Sequence, residues 1–239
     1  FNSSIAHNML FTTKKSFSYN YLKGYKFPTP PTQMKLNQVI NFHKGLTPFV
    51  VFGLMTLYGN YMAAPWIYLS LHGTYGVLWL IKEKIFPDAN FKDEINLLTS
   101  ITGFLFLGSY WIAPFILISS YKSVPAAIIA ACVSINIFGV FLHFTSDAQK
   151  YFMLQNEKKL IDNGFFKRSR NTNYFGETLI YLSFAILSMS WIPVIILGIF
   201  FFIVFLPRML KKDKSLSKYP LFKEYKKSSG LIIPKFNGK

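Results

Sequence analysis

Residues 178–207 read TLIYLSFAILSMSWIPVIILGIFFFIVFLP, thirty consecutive positions without a formal charge. A helix needs about 20 apolar residues to cross roughly 30 Å of hydrocarbon, so this stretch is too long for one untilted span. Proline removes a backbone donor and disfavours a helix interior, so Trp191-Ile192-Pro193 at its centre predicts a helical hairpin that turns at Pro193 rather than one kinked helix. Working outward, 45–81, 95–121 and 123–146 are also uncharged and long enough to span. The first of these holds Gly59, Asn60 and Ala63-Ala64-Pro65, where helices tend to stop, and predicts two helices over 45–62 and 66–82. The next two predict single spans over 97–121 and 123–146, joined by a tight turn at Lys122. The expected fold is all-α: a polytopic transmembrane bundle of about six spans.

Composition agrees with that. Of the 239 residues 51% are hydrophobic and only 15% charged, too apolar for an ordinary soluble domain of this size. Lys and Arg number 26 against 10 Asp and Glu, a net charge of +16. Their positions separate a membrane protein from a nucleic-acid binder. Segments 1–44, 82–94, 147–177 and 208–239 carry 6, 3, 6 and 10 basic residues, all on one side of a six-span topology, and Lys122 stands alone opposite. By the positive-inside rule the basic side faces the cytosol, or the matrix of a mitochondrion. Because the basic residues flank spans and do not interleave with aromatics on one face, nucleic acid is not the expected partner. The single cysteine, Cys132, sits in an apolar run, so neither a disulfide framework nor a cysteine-based metal site is expected.

The chain divides into a basic arm (1–44), four membrane helices (45–146) and a C-terminal part (147–239). The arm has six lysines, no acidic residue and many hydroxyls near its start, which resembles a mitochondrial transit segment and favours the mitochondrial inner membrane over the endoplasmic reticulum. P-loop, GxGxxG, HExxH and nucleophile-elbow motifs are absent. Polar residues instead gather at the charged face: Asp147 and Lys150 at a helix end, the run from Gly164 to Glu177, and Pro207-Arg208. His143 stands one turn before Asp147, placed to bond it. Deeper, His72 and Tyr75 are three apart on one helix face, with Tyr75 about 10 Å below Lys82 at 1.5 Å per residue. An ionisable side chain at that depth is costly unless it has a partner or lines a cavity, which makes it a site candidate. The plainer readings are a helix-packing pair at His72 and Tyr75, caps at Asn173 and Glu177, and a snorkelling Arg208.

Gly164-Phe165-Phe166, Arg170-Asn171-Thr172-Asn173-Tyr174-Phe175-Gly176-Glu177, an apolar hairpin, Pro207-Arg208, and the tail Lys218-Tyr219-Pro220-Leu221-Phe222-Lys223-Glu224-Tyr225 with Ile233-Pro234 together resemble the C-terminal domain of the steroid 5-alpha-reductase family over residues 143–236. Upstream, Leu71-His72-Gly73-Thr74-Tyr75-Gly76 and Phe86-Pro87-Asp88 are similar to a branch grouped with those reductases. The resemblance implies NADPH-dependent reduction of a double bond conjugated to a carbonyl in a lipid or steroid. It implies that Asn173 and Glu177 hold the nicotinamide end, Arg208 the phosphates and Asp147 a ribose or neighbouring amide. Lys150 and Arg170 are further cations at the mouth, and Tyr75 is the hydroxyl that donates to the carbonyl oxygen, with His72 beside it. No metal is expected.

Where the family has an assisting Glu before the second span, this chain has none, since its first acidic residue is Glu83. That departure, with the Lys-rich arm and tail, favours a second expectation: a catalytically degenerate accessory subunit of a large, mitochondrial membrane complex. A methyltransferase of the related fold is echoed by Arg170 to Gly176, but its paired glutamates are missing after the hairpin.

Overall fold

The computed structural model describes residues 34–88, 91–155 and 157–236. Most of them are helical. A short antiparallel pairing of β1 (Met34–Lys35) with β2 (Glu94–Ile95) leads into α1 (Leu36–Tyr58), which is followed by α2 (Ala63–Ile85). Then come α3 (Leu97–Gly108), a single 3₁₀ turn, α4 (Ile112–Ser119) and α5 (Ala126–Leu154). The C-terminal part holds α6 (Thr172–Leu187), α7 (Trp191–Phe200), a π-helical turn (Phe201–Phe205), α8 (Leu206–Leu216) and α9 (Phe222–Ser228). Three continuous helices, Leu97–Ser119, Ala126–Leu154 and Trp191–Leu216, are long and apolar enough to cross a membrane.

Helix α1 begins well before residue 45, because Lys44, which a hydropathy count places at the edge of a span, is 2% exposed and faces inward. The helix ends at Gly59, whose φ of 62° needs no Cβ, and Asn60 donates from Nδ2 to the Ile118 carbonyl to tie this turn to the end of α4. Pro65 lies inside the first turn of α2, not at a break, since early helical positions need no proline N–H. The hairpin between α6 and α7 turns at residues 188–190, earlier than Pro193. Met189 has a φ of 52° and the Ser190 side chain accepts the Ile192 N–H, leaving Pro193 in the first turn of α7. A serine cap and a left-handed residue stop the helix where hydropathy shows no change.

Glycines set two close helix contacts. Pro48 has no N–H to bond the Lys44 carbonyl, and Gly76 of α2 packs on that freed oxygen, where a Cβ would come within 2.5 Å. Gly139 of α5 and Gly176 of α6 face each other, and a Cβ on Gly176 would lie 2.5 Å from the His143 nitrogen and 2.6 Å from the Gly139 oxygen. The π turn has an equally local cause. Buried residues along the last long helix are Pro193, Leu197, Phe200, Phe205, Met209 and Asp213, in steps of three or four except the step of five from Phe200 to Phe205. One wide turn keeps the inward face aligned across that step. Val51, Met55, Tyr68, Tyr75, Leu117, Ile118, Ile180 and Leu187 form the centre of the core, while Phe138, Ile195, Phe202 and Ile203 are among many large apolar side chains left exposed.

Candidate functional site

Helix periodicity aims one stripe of α2, Tyr68, His72, Tyr75, Trp79 and Lys82, into the bundle, and all five are buried. Lys44, Thr47, Val51 and Met55 are the matching stripe of α1. Between them Lys44 Nζ lies 4.1 Å from the Tyr75 ring centroid, 4.9 Å from that of Tyr181 and 5.0 Å from that of Trp79, and donates to the Tyr181 hydroxyl. Aromatic faces attract a desolvated ammonium, yet among the described residues no carboxylate pairs with it; Glu177, one turn before Tyr181, acts on it through space. The Tyr75 hydroxyl approaches that of Tyr181 but completes no hydrogen bond among the described residues. His72 is fully buried, with Nδ1 3.2 Å from the Tyr68 hydroxyl, its ring stacked on Phe184 at 4.2 Å, and Nε2 unpartnered among the described residues.

Toward the charged face the core passes into a network. His143 stacks on Trp79, and its Nδ1 lies 3.0 Å from the Asn173 carbonyl rather than bonding Asp147, because α6 is pressed against α5 at the glycine pair. Asn173 Nδ2 donates to Asp147 at 3.1 Å; Asp147 pairs with Lys82 at 3.7 Å and Lys150 at 3.6 Å; Lys150 also reaches Asp88 at 3.5 Å. Asn173 Oδ1 and His143 Nε2 are buried without a partner among the described residues. Glu177 is half-buried on the next turn, and it acts, with Arg208, Lys150 and Asp88, on the Tyr174 hydroxyl. Arg208 is exposed, with its guanidinium 5.5 Å from the Phe91 ring centroid.

Arg170 has a different place from the one its motif position led us to expect. It is 5% exposed, and it bonds Asp213 through Nε at 3.0 and 3.2 Å and the Ser229 carbonyl through Nη1 at 2.7 Å. Its charge is spent inside the protein, holding α8 and α9 on the motif loop. Around it Asn171 Nδ2 donates to the Leu231 carbonyl, and the Tyr225 hydroxyl donates to that of Phe166, where burial pushes the phenol up. Of the eight residues singled out from sequence, Asp147, Lys150 and Asn173 are joined directly. His72 and Tyr75 share the core below them, Glu177 and Arg208 flank Tyr174, and Arg170 stands apart. Sequence reasoning missed Lys44, Lys82, Tyr181 and Asp213. The signal was periodicity: Lys44 and Lys82 continue the apolar stripes of their helices at spacings of three, four and seven, so both point inward.

Residues 95–229, more than half the chain, match the family described as Protein of unknown function (DUF1295). The chain belongs to this family. DUF1295 lies within the steroid 5-alpha-reductase-like superfamily. The DUF1295 stretch contains Asp147, Lys150, Arg170, Asn173, Glu177 and Arg208 but not His72 or Tyr75. No curated protein matches the chain.

A dinucleotide phosphate needs amide partners at its nicotinamide end and cations at its phosphates. Asn173 Oδ1, a buried acceptor without a donor among the described residues, fits the first need. For the second, Arg208 is exposed at the mouth, whereas Lys150 stands between two carboxylates and Arg170 is committed to Asp213.

Proposed function

We propose that this chain is a membrane-embedded reductase of the steroid 5-alpha-reductase kind, a six-span protein with its basic face on the cytosolic or matrix side. Its reaction is NADPH-dependent reduction of a double bond conjugated to a carbonyl in a lipid or steroid. One observation carries this: the buried Tyr75 hydroxyl, beside that of Tyr181, completes no hydrogen bond among the described residues, its ring lies 4.1 Å from Lys44 Nζ, and 6.3 Å away is the ring of His143, whose Nε2 is also unpartnered. Burying a polar atom without a hydrogen bond costs about 1–3 kcal/mol, and such a cluster is well explained by a ligand that completes the bonds.

When bound, NADPH supplies hydride to the carbon β to the carbonyl. Asn173 and Glu177 would hold its amide end and Arg208 its phosphates. Tyr75 would donate its proton to the carbonyl oxygen, giving the enol that tautomerises to the saturated carbonyl compound with its proton on the α carbon, and Lys44, bonded to Tyr181, would stabilise the negative charge left on the phenol pair. The apolar bundle excludes water. The test is NADPH fluorescence titrated into the protein in lipid nanodiscs, with progesterone as the enone probe. Asn173→Ala is expected to weaken NADPH binding at least tenfold, in line with the loss of about one good hydrogen bond in a dry site. Tyr75→Phe should leave binding intact and abolish turnover. A wild-type protein that binds no NADPH sinks the proposal.

A second reading draws on the rim. Lys82, Lys150 and Arg170 are already paired with Asp147, Asp88 and Asp213, leaving less free positive charge for a polyphosphate than the sequence promised. This favours an accessory subunit that keeps the fold inside a large complex of the mitochondrial inner membrane. The basic arm that motivates that location lies mostly outside the described residues. Migration of the native protein with a large assembly, together with no NADPH binding, would establish this reading over the first.

A further inference from the structure

The outer face of α7 and α8 is chemically divided. Ile192, Ile195, Ile199, Phe202 and Ile203 are exposed in steps that follow the helix, with Phe202 at 66% and Ile203 at 63%, and Leu210 continues the strip. Beyond it Lys211, Lys214 and Lys218 are exposed. Lys211 and Lys214 are three apart on one helix and therefore neighbours. Neither forms an ion pair among the described residues. The carboxylate beside them, Asp213, is turned inward onto Arg170. Residues 206–236 hold eight Lys and one Arg against Asp213 and Glu224, so this end of the molecule carries positive charge that its own acidic groups do not offset.

A partner that satisfies both halves must be apolar along the helix and anionic at its end. An acidic polypeptide would meet only the lysines. A phospholipid meets both. From Ile199 to Lys211 the helix rises about 18 Å at 1.5 Å per residue, close to the roughly 15 Å depth of one leaflet of hydrocarbon with a phosphate above it. We propose that the outer face of α7 and α8 is a binding site for an anionic phospholipid, its acyl chain along Ile195, Ile199 and Phe202 and its phosphate held by Lys211 and Lys214.

The site does not depend on the reductase proposal and is tested without it. The full chain is placed in nanodiscs of phosphatidylcholine with a minor share of phosphatidylglycerol, released gently, and the retained lipids are counted by native mass spectrometry. Wild type is expected to keep phosphatidylglycerol in preference to phosphatidylcholine. The double variant K211Q/K214Q should lower that preference roughly tenfold or more, since each surface lysine contributes on the order of fivefold in attraction to anionic lipid. The double variant K223Q/K227Q, which removes the same charge from α9, should leave it unchanged, and equal melting temperatures would show that both variants fold. Equal retention by wild type and K211Q/K214Q overturns the proposal. So does tight binding of polyglutamate to these lysines with no preference among lipids, which would make the face a protein-docking surface instead.

Discussion

At the scale of single residues, two buried cations behave in opposite ways. Lys44 has aromatic rings and a phenol around it but no carboxylate pair among the described residues, whereas Arg170 is bonded to Asp213 and to backbone carbonyls. Burying an ammonium with no carboxylate partner is costly, so an apolar side chain of similar length relieves that desolvation. Lys44→Met is therefore expected to leave the melting temperature in detergent unchanged or raise it, while turnover of the progesterone probe falls steeply. A clear fall in melting temperature would make Lys44 a structural residue. Arg170→Ala leaves the buried Asp213 with only the exposed Lys226 ammonium at 3.9 Å and should cost about 3–5 kcal/mol, read as a lower melting temperature and faster proteolysis of residues beyond 216. Arg170→Lys should not restore stability, because one ammonium cannot reproduce the guanidinium fork that reaches Asp213 and Ser229 together.

At the scale of elements, packing of α5 on α6 controls the site, because it brings Asn173 to Asp147 and His143. The contact depends on Gly139 and Gly176, where an added Cβ would meet backbone and not a flexible side chain. Gly176→Ala should destabilise by about 1–3 kcal/mol or more and separate the helices. A drop in melting temperature together with weaker NADPH binding checks this, and a stable variant with unchanged binding would show that the two helices need not approach so closely. Sequence made several elements legible and misplaced their ends. The runs 95–121 and 123–146 predict helices that the structure places at Leu97–Ser119 and Ala126–Leu154. At α1 and α6 an uncharged run starts later than its helix: Lys44 is a helical residue turned into the bundle, and α6 begins at Thr172, ahead of the run that opens at 178.

At the scale of the whole molecule, the asymmetry of charge is the main feature. Twenty-five of the 26 basic residues fall in the segments that the proposed six-span topology puts on one side, and Lys122 is at the turn between α4 and α5, in a segment it puts opposite. The expected topology can be read with single cysteines in a Cys132→Ala background. Lys122→Cys and Ser217→Cys, both exposed positions, should label from opposite sides of an intact membrane vesicle. Labelling from the same side would remove the six-span arrangement and with it the placement of Arg208 at the basic mouth.

Hydropathy was enough to indicate helices and membrane, because these follow from transfer free energies that add along a chain. The polar motifs likewise carried the superfamily. The pairings did not follow from such sums: Arg170 with Asp213, Lys150 with two aspartates, Lys44 among three aromatic rings. Apart from Lys150 with Asp147, which are three apart on α5, each joins residues from different helices, or from a helix and a distant loop, and depends on rotation and depth set by glycine contacts and one π turn. A charged side chain looks equally free in sequence whether it meets water, lipid or a buried carboxylate, and packing alone separates the three.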